Sequence, residues 1–387
     1  MEYKKINELT AVVTGGTPST RKNEYWDNGD IPWLQSGCCQ NCDVDSTEKY
    51  ITKEGYNNSS THMMPADTVM IALTGATAGK VGYLKFEACG NQSITGILPC
   101  ESLNQRYLFF YLLSQREKIL ADCVGGAQAH ISQSYVKNMT IPILAIKEQE
   151  QIVGELTKLS NIVSLRQEEI QQLDALIKAR FVELFGDENN SKNWDVVNIE
   201  EVADVQVGVV IKPSQYYTDK SEGVRTFRSL NIGAGFIKDN DWVYFTKEGH
   251  QKNSKSILKK DDLLIVRSGA PGTACVVTEE YAGCNAVDII IAHPDCKKVN
   301  PYYLCTFTNM PHGKKQIDEG IGGAAQQHFN VGKYNKLQLM LPPKTLQDEF
   351  VGFIKQVDKS KFDTMTLAPI YAIINLYLYT YFYQGKR

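Results

Sequence analysis

Residues 125–143 read "GGAQAHISQSYVKNMTIPI", and residues 323–341 read "GAAQQHFNVGKYNKLQLML". Each holds a Gly, a Gln three residues later, and then a His followed by a bulky apolar residue: His130 and Ile131 in one, His328 and Phe329 in the other. A phrase stated twice, about half a chain apart, marks an internal duplication. An offset of 198 carries the match forward, setting Gln149 on Gln347, Ile152 on Phe350 and Val153-Gly154 on Val351-Gly352. Backward, "DTVMIALTGATAGKVGYL" from Asp67 lies against "DDLLIVRSGAPGTACVV" from Asp261. There an offset of 194 sets Trp33 on Phe227, Leu34 on Arg228, Leu73 on Arg267 and Asn91 on Asn285. The copies run from about 1 to 186 and from about 194 to 387.

Within each copy, short apolar runs bounded by Gly, Pro, Asn and Asp predict short strands and long loops. "VMIAL" and "LLIV" read as central strands, and "RYLFFYLLSQREKIL" as a helix. The texture changes at residue 147: from there to 185 the chain has no Pro and a single Gly. Its apolar residues step by three and four through Ile152, Leu156, Leu159, Val163, Ile170, Leu173, Ile177 and Leu184. That is a heptad pattern, with Arg166 and Arg180 at two of the expected apolar positions. Phe350, Ile354 and Val357 begin the same pattern in the second copy. One helix cannot bury such a stripe alone, so the two are expected to pair. Copies related by a local two-fold axis would pair them antiparallel, as a rod of up to about 58 Å at 1.5 Å per residue.

At 387 residues and 43% hydrophobic content the chain has room for two or three ordinary cores. Ten cysteines without a leader-like N-terminus predict reduced thiols and a cytoplasmic protein. Cys39 and Cys42 in "CCQNC" have metal-ligand spacing, yet no second pair follows, so no metal is expected. The apolar run 367–383 is short and interrupted by Pro369 and Asn375, which argues against a membrane span. The net charge of −3 is spread over the chain with no basic tail, so a polyanion would have to meet a locally concentrated face.

The stretches "GGTPSTRKNEYWDNGDIPWLQSG" (15–37), "TGATAGKVGYL" (74–84), the doubled phrase and "EQEQIVGEL" (148–156, echoed as "LQDEFVGFI") resemble the specificity subunits of type I restriction-modification systems over essentially the whole chain. The resemblance implies an α+β fold: two tandem mixed α/β target recognition domains joined by two long antiparallel coiled-coil spacer helices, with pseudo-two-fold symmetry. The expected division is 1–146 for the first recognition domain, 147–186 for the central spacer, 187–343 for the second domain and 344–387 for the C-terminal spacer, broken near Pro369. It also implies a non-catalytic reader of a bipartite, asymmetric target in double-stranded DNA. Two methyltransferase subunits and two restriction (endonuclease/translocase) subunits would be its partners. S-adenosylmethionine, ATP and magnesium would then sit on those partners and no cofactor on this chain. The sequence agrees in lacking an Asn-Pro-Pro-aromatic or Asp-Pro-Pro-aromatic tetrad, its single Pro-Pro being "LPPK". No catalytic residue is assigned. The competing reading is a protein-binding scaffold carrying two similar modules on a helical rod.

A base reader needs Arg or Lys for guanine, Asn or Gln for adenine, and further donors for phosphates. In the first copy the candidates are Thr17, Ser19, Lys22, Gln35, Lys80, Asn91, Gln92, Gln128, His130 and Gln133. In the second they are Lys212, Arg228, Asn231, Arg267, Thr273, Asn285, Gln326, Gln327 and His328. Arg228 and Arg267 stand out because the first copy has leucines at the matched positions, and distinct half-sites need such differences.

Overall fold

The computed structural model describes residues 2–122, 130–321, 329–365, 374, 376–378 and 380–381. The chain divides into two units, residues 1–167 with 366–387, and residues 168–365. Among the described residues, ten strands belong to the first: β1 Glu2–Lys5, β2 Val12–Thr14, β3 Ile31–Leu34, β4 Cys42–Val44, β5 Tyr50–Ile51, β6 Val69–Ala72, β7 Val81–Leu84, β8 Cys89–Gly90, β9 Ile94–Ile97 and β10 Thr140–Ile143. They form sheets ordered β2-β9-β6-β7-β4, β5-β3-β8 and β1-β10. The second unit repeats the plan with β11 Val196–Asn198, β12 Ala203–Val207, β13 Tyr217–Thr218, β14 Val224–Phe227, β15 Val243–Phe245, β16 Leu263–Val266, β17 Ala274–Val276, β18 Asn285–Ala286, β19 Ile289–Pro294 and β20 Gln338–Met340. Its sheets are β12-β19-β16-β17, β13-β15-β14-β18 and β11-β20.

Strands β6 and β16 are the central "VMIA" and "LLIV" runs, buried at every residue because both faces are covered. Each is preceded by an Asp with positive φ, Asp67 at 66° and Asp261 at 69°. Each is followed by paired left-handed glycines, Gly75 and Gly79 in one copy, Gly269 and Gly272 in the other. A Cβ at Gly79 would stand 2.9 Å from an Ile119 methyl, and one at Gly272 2.4 Å from Ile317. These glycines therefore combine a turn conformation with close packing. The predicted helix forms as Gln105–Ser114 and Arg116–Ala121.

The strand registers correct part of the sequence alignment. Leu34 pairs with Gly90, and Phe227 pairs with Ala286, both in parallel ladders. Leu34 thus corresponds to Phe227 and Gln35 to Arg228, one residue away from the alignment by sequence. Cys89 takes the place of Asn285, while Asn91 lies beyond the strand end. The offset shifts because the loops joining these strands differ in length between copies. The match of Leu73 with Arg267 survives: Leu73 accepts from the Ile131 N–H, as Arg267 does from the Phe329 N–H.

The joint between each domain and its helix is repeated in atomic detail. Gln149, fully buried, accepts from the Asn104 N–H at 2.8 Å and donates to the Leu144 and Ser102 carbonyls. Gln347 accepts from Asn300 N–H at 2.8 Å and donates to Pro342 and Lys298. Tyr107 and Tyr303 reach the carbonyls of Pro142 and Met340 in the same way.

The central helix, Ile146–Phe185, runs 40 residues. Ile152, Leu156 and Val163 are buried, with Leu159 packed on the first core; Ile170 and Leu173 are half-buried. Further along, Ile177 and Leu184 flank the second core, but its center is Phe181 and Phe185, both fully buried. The seam passes through these phenylalanines rather than through Arg180. That arginine lies beside it, ion-paired with Glu183 and Glu349 at 2.9 Å each. In the second unit this half of the helix meets the helix Lys344–Met365. Phe350, Ile354 and Val357 are buried, and Phe350 packs on Phe181 and Phe185. The contacts Asp174–Lys361 and Arg180–Glu349 rise on one helix as they descend on the other, so the pair is antiparallel. In the first unit Ile374 and Leu378 are buried against Ile152 and Leu156, and the Tyr377 hydroxyl donates to Glu155. Pro369 lies outside the described residues.

Candidate nucleic-acid interface

The first domain has an open cleft of roughly 770 Å³ among its loops. Four of the residues singled out by sequence line it: Thr17, Gln35, Asn91 and Gln92. The glycines of "GGTPS" bring the first loop there. A Cβ on Gly15 would lie 2.1 Å from the carbonyl oxygens of Gly90 and Asn91, so only glycine lets this loop press against β8. The loop is then held by Trp33, whose indole N–H donates to the Gly16 carbonyl at 2.9 Å, and by Thr17, whose hydroxyl donates to Gln92. Trp26 stands edge-on to Trp33 and donates to the Ser19 carbonyl. The side chain of Asn91 accepts from Ser93 N–H, fixing the opposite wall. Amides, hydroxyls and one aromatic rim thus share a concave surface, a set suited to base edges and sugar-phosphate oxygens.

Sequence reading missed several lining residues: Asn23, Trp26, Asn28, Lys49 and Tyr50. The signal available was the density of amides and aromatics in "KNEYWDNGD"; the separation of Lys49 and Tyr50 from it hid the rest. The other first-copy candidates lie elsewhere or serve other bonds. Ser19 is exposed. Lys22 is exposed over the Tyr25 ring, its ammonium donating to that hydroxyl at 2.9 Å, which raises its pKa. Lys80 donates to Gln40 at 2.6 Å. Gln133 donates to the Val12 carbonyl, tying a helix to β2. His130 is exposed and bridges to Thr74. Gln128 lies outside the described residues.

The corresponding face of the second domain is built differently. Gly208 presses on the Ala286 carbonyl as Gly15 does on Gly90, but the loop that follows exposes Val210 and, at 81%, Ile211. Lys212 is exposed and left-handed, with φ 44°. Leu230 and Phe236 are also more than half exposed. Arg228 is half-buried; one of its terminal nitrogens donates to the Asp241 carbonyl, and its Nε is enclosed with no partner among the described residues. Asn231 is fully buried, accepting from the Arg228 N–H and donating to the Asn240 carbonyl. Asn285 is also fully buried, between His250, Ser256 and Asn253. The amides of Asn231 and Asn285 are therefore engaged inside the domain. Arg267 is ion-paired with Asp288 at 2.5 Å and donates from Nε to the Phe329 carbonyl. Thr273 is half-buried in the turn after β16. Gln326, Gln327 and His328 lie outside the described residues.

Cys39 is buried in a smaller cluster of the first domain with Leu34, Met64 and Leu84, whereas Cys42 is exposed on β4. Among the described residues no three His, Cys, Asp or Glu side chains converge on a metal position, and no helix is long and apolar enough to cross a membrane.

The model of the type I restriction modification DNA specificity domain matches residues 1–175 and again 191–370. A specificity subunit of the Escherichia coli type I restriction enzyme EcoR124I/EcoR124II is 33% identical over 169 residues, an alignment spanning 42% of each chain. The MjaIX specificity subunit of Methanocaldococcus jannaschii is 21% identical over 92% of this chain and 86% of its own. Among solved structures, a type I restriction-modification S subunit from M. genitalium superimposes with a TM-score of 0.53 at 15% identity, covering 97% of this chain and 93% of that one. A chain solved to explain assembly and conformational transition of the type I R-M system gives 0.54 at 15% identity, over 98% and 96%.

Proposed function

The chain belongs to the type I restriction-modification DNA specificity family, and from that premise we propose that it reads a bipartite, asymmetric double-stranded DNA target, one half with each domain. It is a recognition subunit and not an enzyme. The observation that carries the two-half reading is the contrast between a joint repeated atom for atom at Gln149 and Gln347 and loop faces of unlike composition, an amide- and tryptophan-lined cleft in the first domain and exposed Val210, Ile211, Leu230 and Phe236 in the second. A duplicated scaffold with unlike surfaces suits two unlike half-sites. The helices then act as the spacer. The chain works in the cytoplasm with two methyltransferase subunits, whose adenine methylation it directs, and with two restriction subunits. S-adenosylmethionine, ATP and magnesium belong to those partners.

Selection from a pool of random duplexes, with this chain alone and in complex with its methyltransferase subunit, tests the reading. The expected result is enrichment of two short motifs separated by a fixed, sequence-neutral gap. A complex that retains protein partners but enriches no motif would instead favor a protein-binding scaffold.

A further inference from the structure

Gln35 and Arg228 leave the two domains from the same place. Each follows the last residue of a strand held in a parallel ladder, Leu34 on Gly90 and Phe227 on Ala286. Each opens a 3₁₀ turn in extended backbone, with φ −104° and ψ 153° at Gln35, and φ −127° and ψ 169° at Arg228. Each carbonyl accepts the N–H three residues on at 2.9 Å, from Cys38 and from Asn231. The two Cα–Cβ bonds therefore point the same way relative to their own sheets, and what they carry differs. Gln35 is exposed in the cleft, and its amide makes no hydrogen bond among the described residues. Arg228 is steadied by the Asp241 carbonyl, while its Nε is enclosed and has no hydrogen-bond partner among the described residues. A buried donor without a partner destabilizes the fold, so stability alone does not account for an arginine there.

We propose that this shared position is a specificity determinant in both domains, Gln35 selecting adenine in one half-site and Arg228 guanine in the other. The side-chain amide of glutamine offers one donor and one acceptor, matching adenine N7 and N6–H₂ in the major groove. The guanidinium offers only donors, matching guanine N7 and O6. Arg228 keeps donors for this: of the five N–H groups of a guanidinium, Nε–H is enclosed and one on Nη2 goes to Asp241, which leaves two on Nη1 and one on Nη2. This inference rests on the two-half reading above and adds which base each domain selects at one position.

The test is selection from random duplexes by the complex with the methyltransferase subunit, comparing the unmodified chain with Gln35→Arg and Arg228→Lys. Gln35→Arg should turn one adenine of one half-site into guanine and leave the other half-site unaltered. Discrimination at that base pair should change by roughly ten-fold to a hundred-fold, the range of one bidentate contact. Arg228→Lys keeps the charge but loses the planar fork, so it should relax the guanine preference in the other half-site alone. Motifs unaltered by Gln35→Arg, or altered in both halves by one substitution, would overturn the inference. A complex of the unmodified chain that enriches no split motif would overturn the reading beneath it instead. Thermal melting of each variant separates loss of recognition from loss of fold, Gln35 being exposed and free to accept a longer side chain.

Discussion

The joint and the loops of the two domains make an instructive contrast. At the joint, Gln149 and Gln347 make the same three bonds, and Tyr107 and Tyr303 reach matching carbonyls. At the loops, the first domain has a cleft lined by amides and tryptophans, whereas the second domain exposes Ile211 and Leu230 and carries a half-buried Arg228. A buried polar joint tolerates little change, because each unpaired group left behind costs about 1–3 kcal/mol. Solvent-facing loops carry no such penalty and are free to diverge.

The cores differ less than the loops but enough to be measured. Phe350 occupies the place of Ile152, and with Phe181, Phe185 and Tyr303 it makes an aromatic cluster. Phe181→Ala should cost about 3–5 kcal/mol, and Ile152→Ala about 2–5 kcal/mol in the first unit, toward the lower end because fewer atoms are removed. Denaturant titration checks both, and equal costs would show that the aromatic cluster adds nothing over aliphatic packing. The joint predicts a pair of losses that should be equal: Gln149→Ala and Gln347→Ala at about 3 kcal/mol or more each, from one orphaned N–H and two orphaned carbonyls at about 1 kcal/mol or more apiece. Unequal losses would break the equivalence of the two joints.

Arg267→Ala should cost about 1 kcal/mol through the half-exposed Asp288 and the Phe329 carbonyl. It should disturb one half-site of the selected motif and not the other; loss in both would indicate unfolding. Thr17→Val removes only an exposed bond to Gln92, so melting should barely move while affinity for duplex falls through the first half-site. The smallest effect is one of pH. The Tyr377 hydroxyl holds the Glu155 carboxyl below the usual carboxylate range. A lowered acid contributes stability above its unfolded pKa of about 4.3, and that contribution disappears as pH falls through the lowered value. The gap in stability between the unmodified chain and Tyr377→Phe should therefore close on acidification from pH 6 to 3; a gap that widens would assign the bond no part in it.

Much of the plan was legible because its signals are local or repeated. The strands "VMIA" and "LLIV", the glycine turns and the doubled glutamine follow directly from spacing. Three features were not. The match of Leu34 to Arg228 failed by one residue because ladder register, fixed by Gly90 and Ala286, is not written in loops of unequal length. The heptad pattern put Arg180 in the seam, where the helix instead steps by four from Ile177 to Phe181 and Phe185. Asn231 and Asn285 looked like base readers because an exposed and a buried amide are the same letter; only burial shows that theirs hold loops together. The cleft was half legible for a related reason, since Lys49 and Tyr50 reach it from a loop distant in sequence.

The most direct measurement concerns the spacer. Asp174 and Lys361 mark one level of the helix pair, so inserting four residues after Leu173 and four after Lys361 keeps the partners matched. Four helical residues add about 6 Å, close to two base pairs at about 3.4 Å each. Selection with the lengthened chain should return the same two half-sites with the gap longer by one or two base pairs. Unaltered half-sites with an unaltered gap would contradict the account.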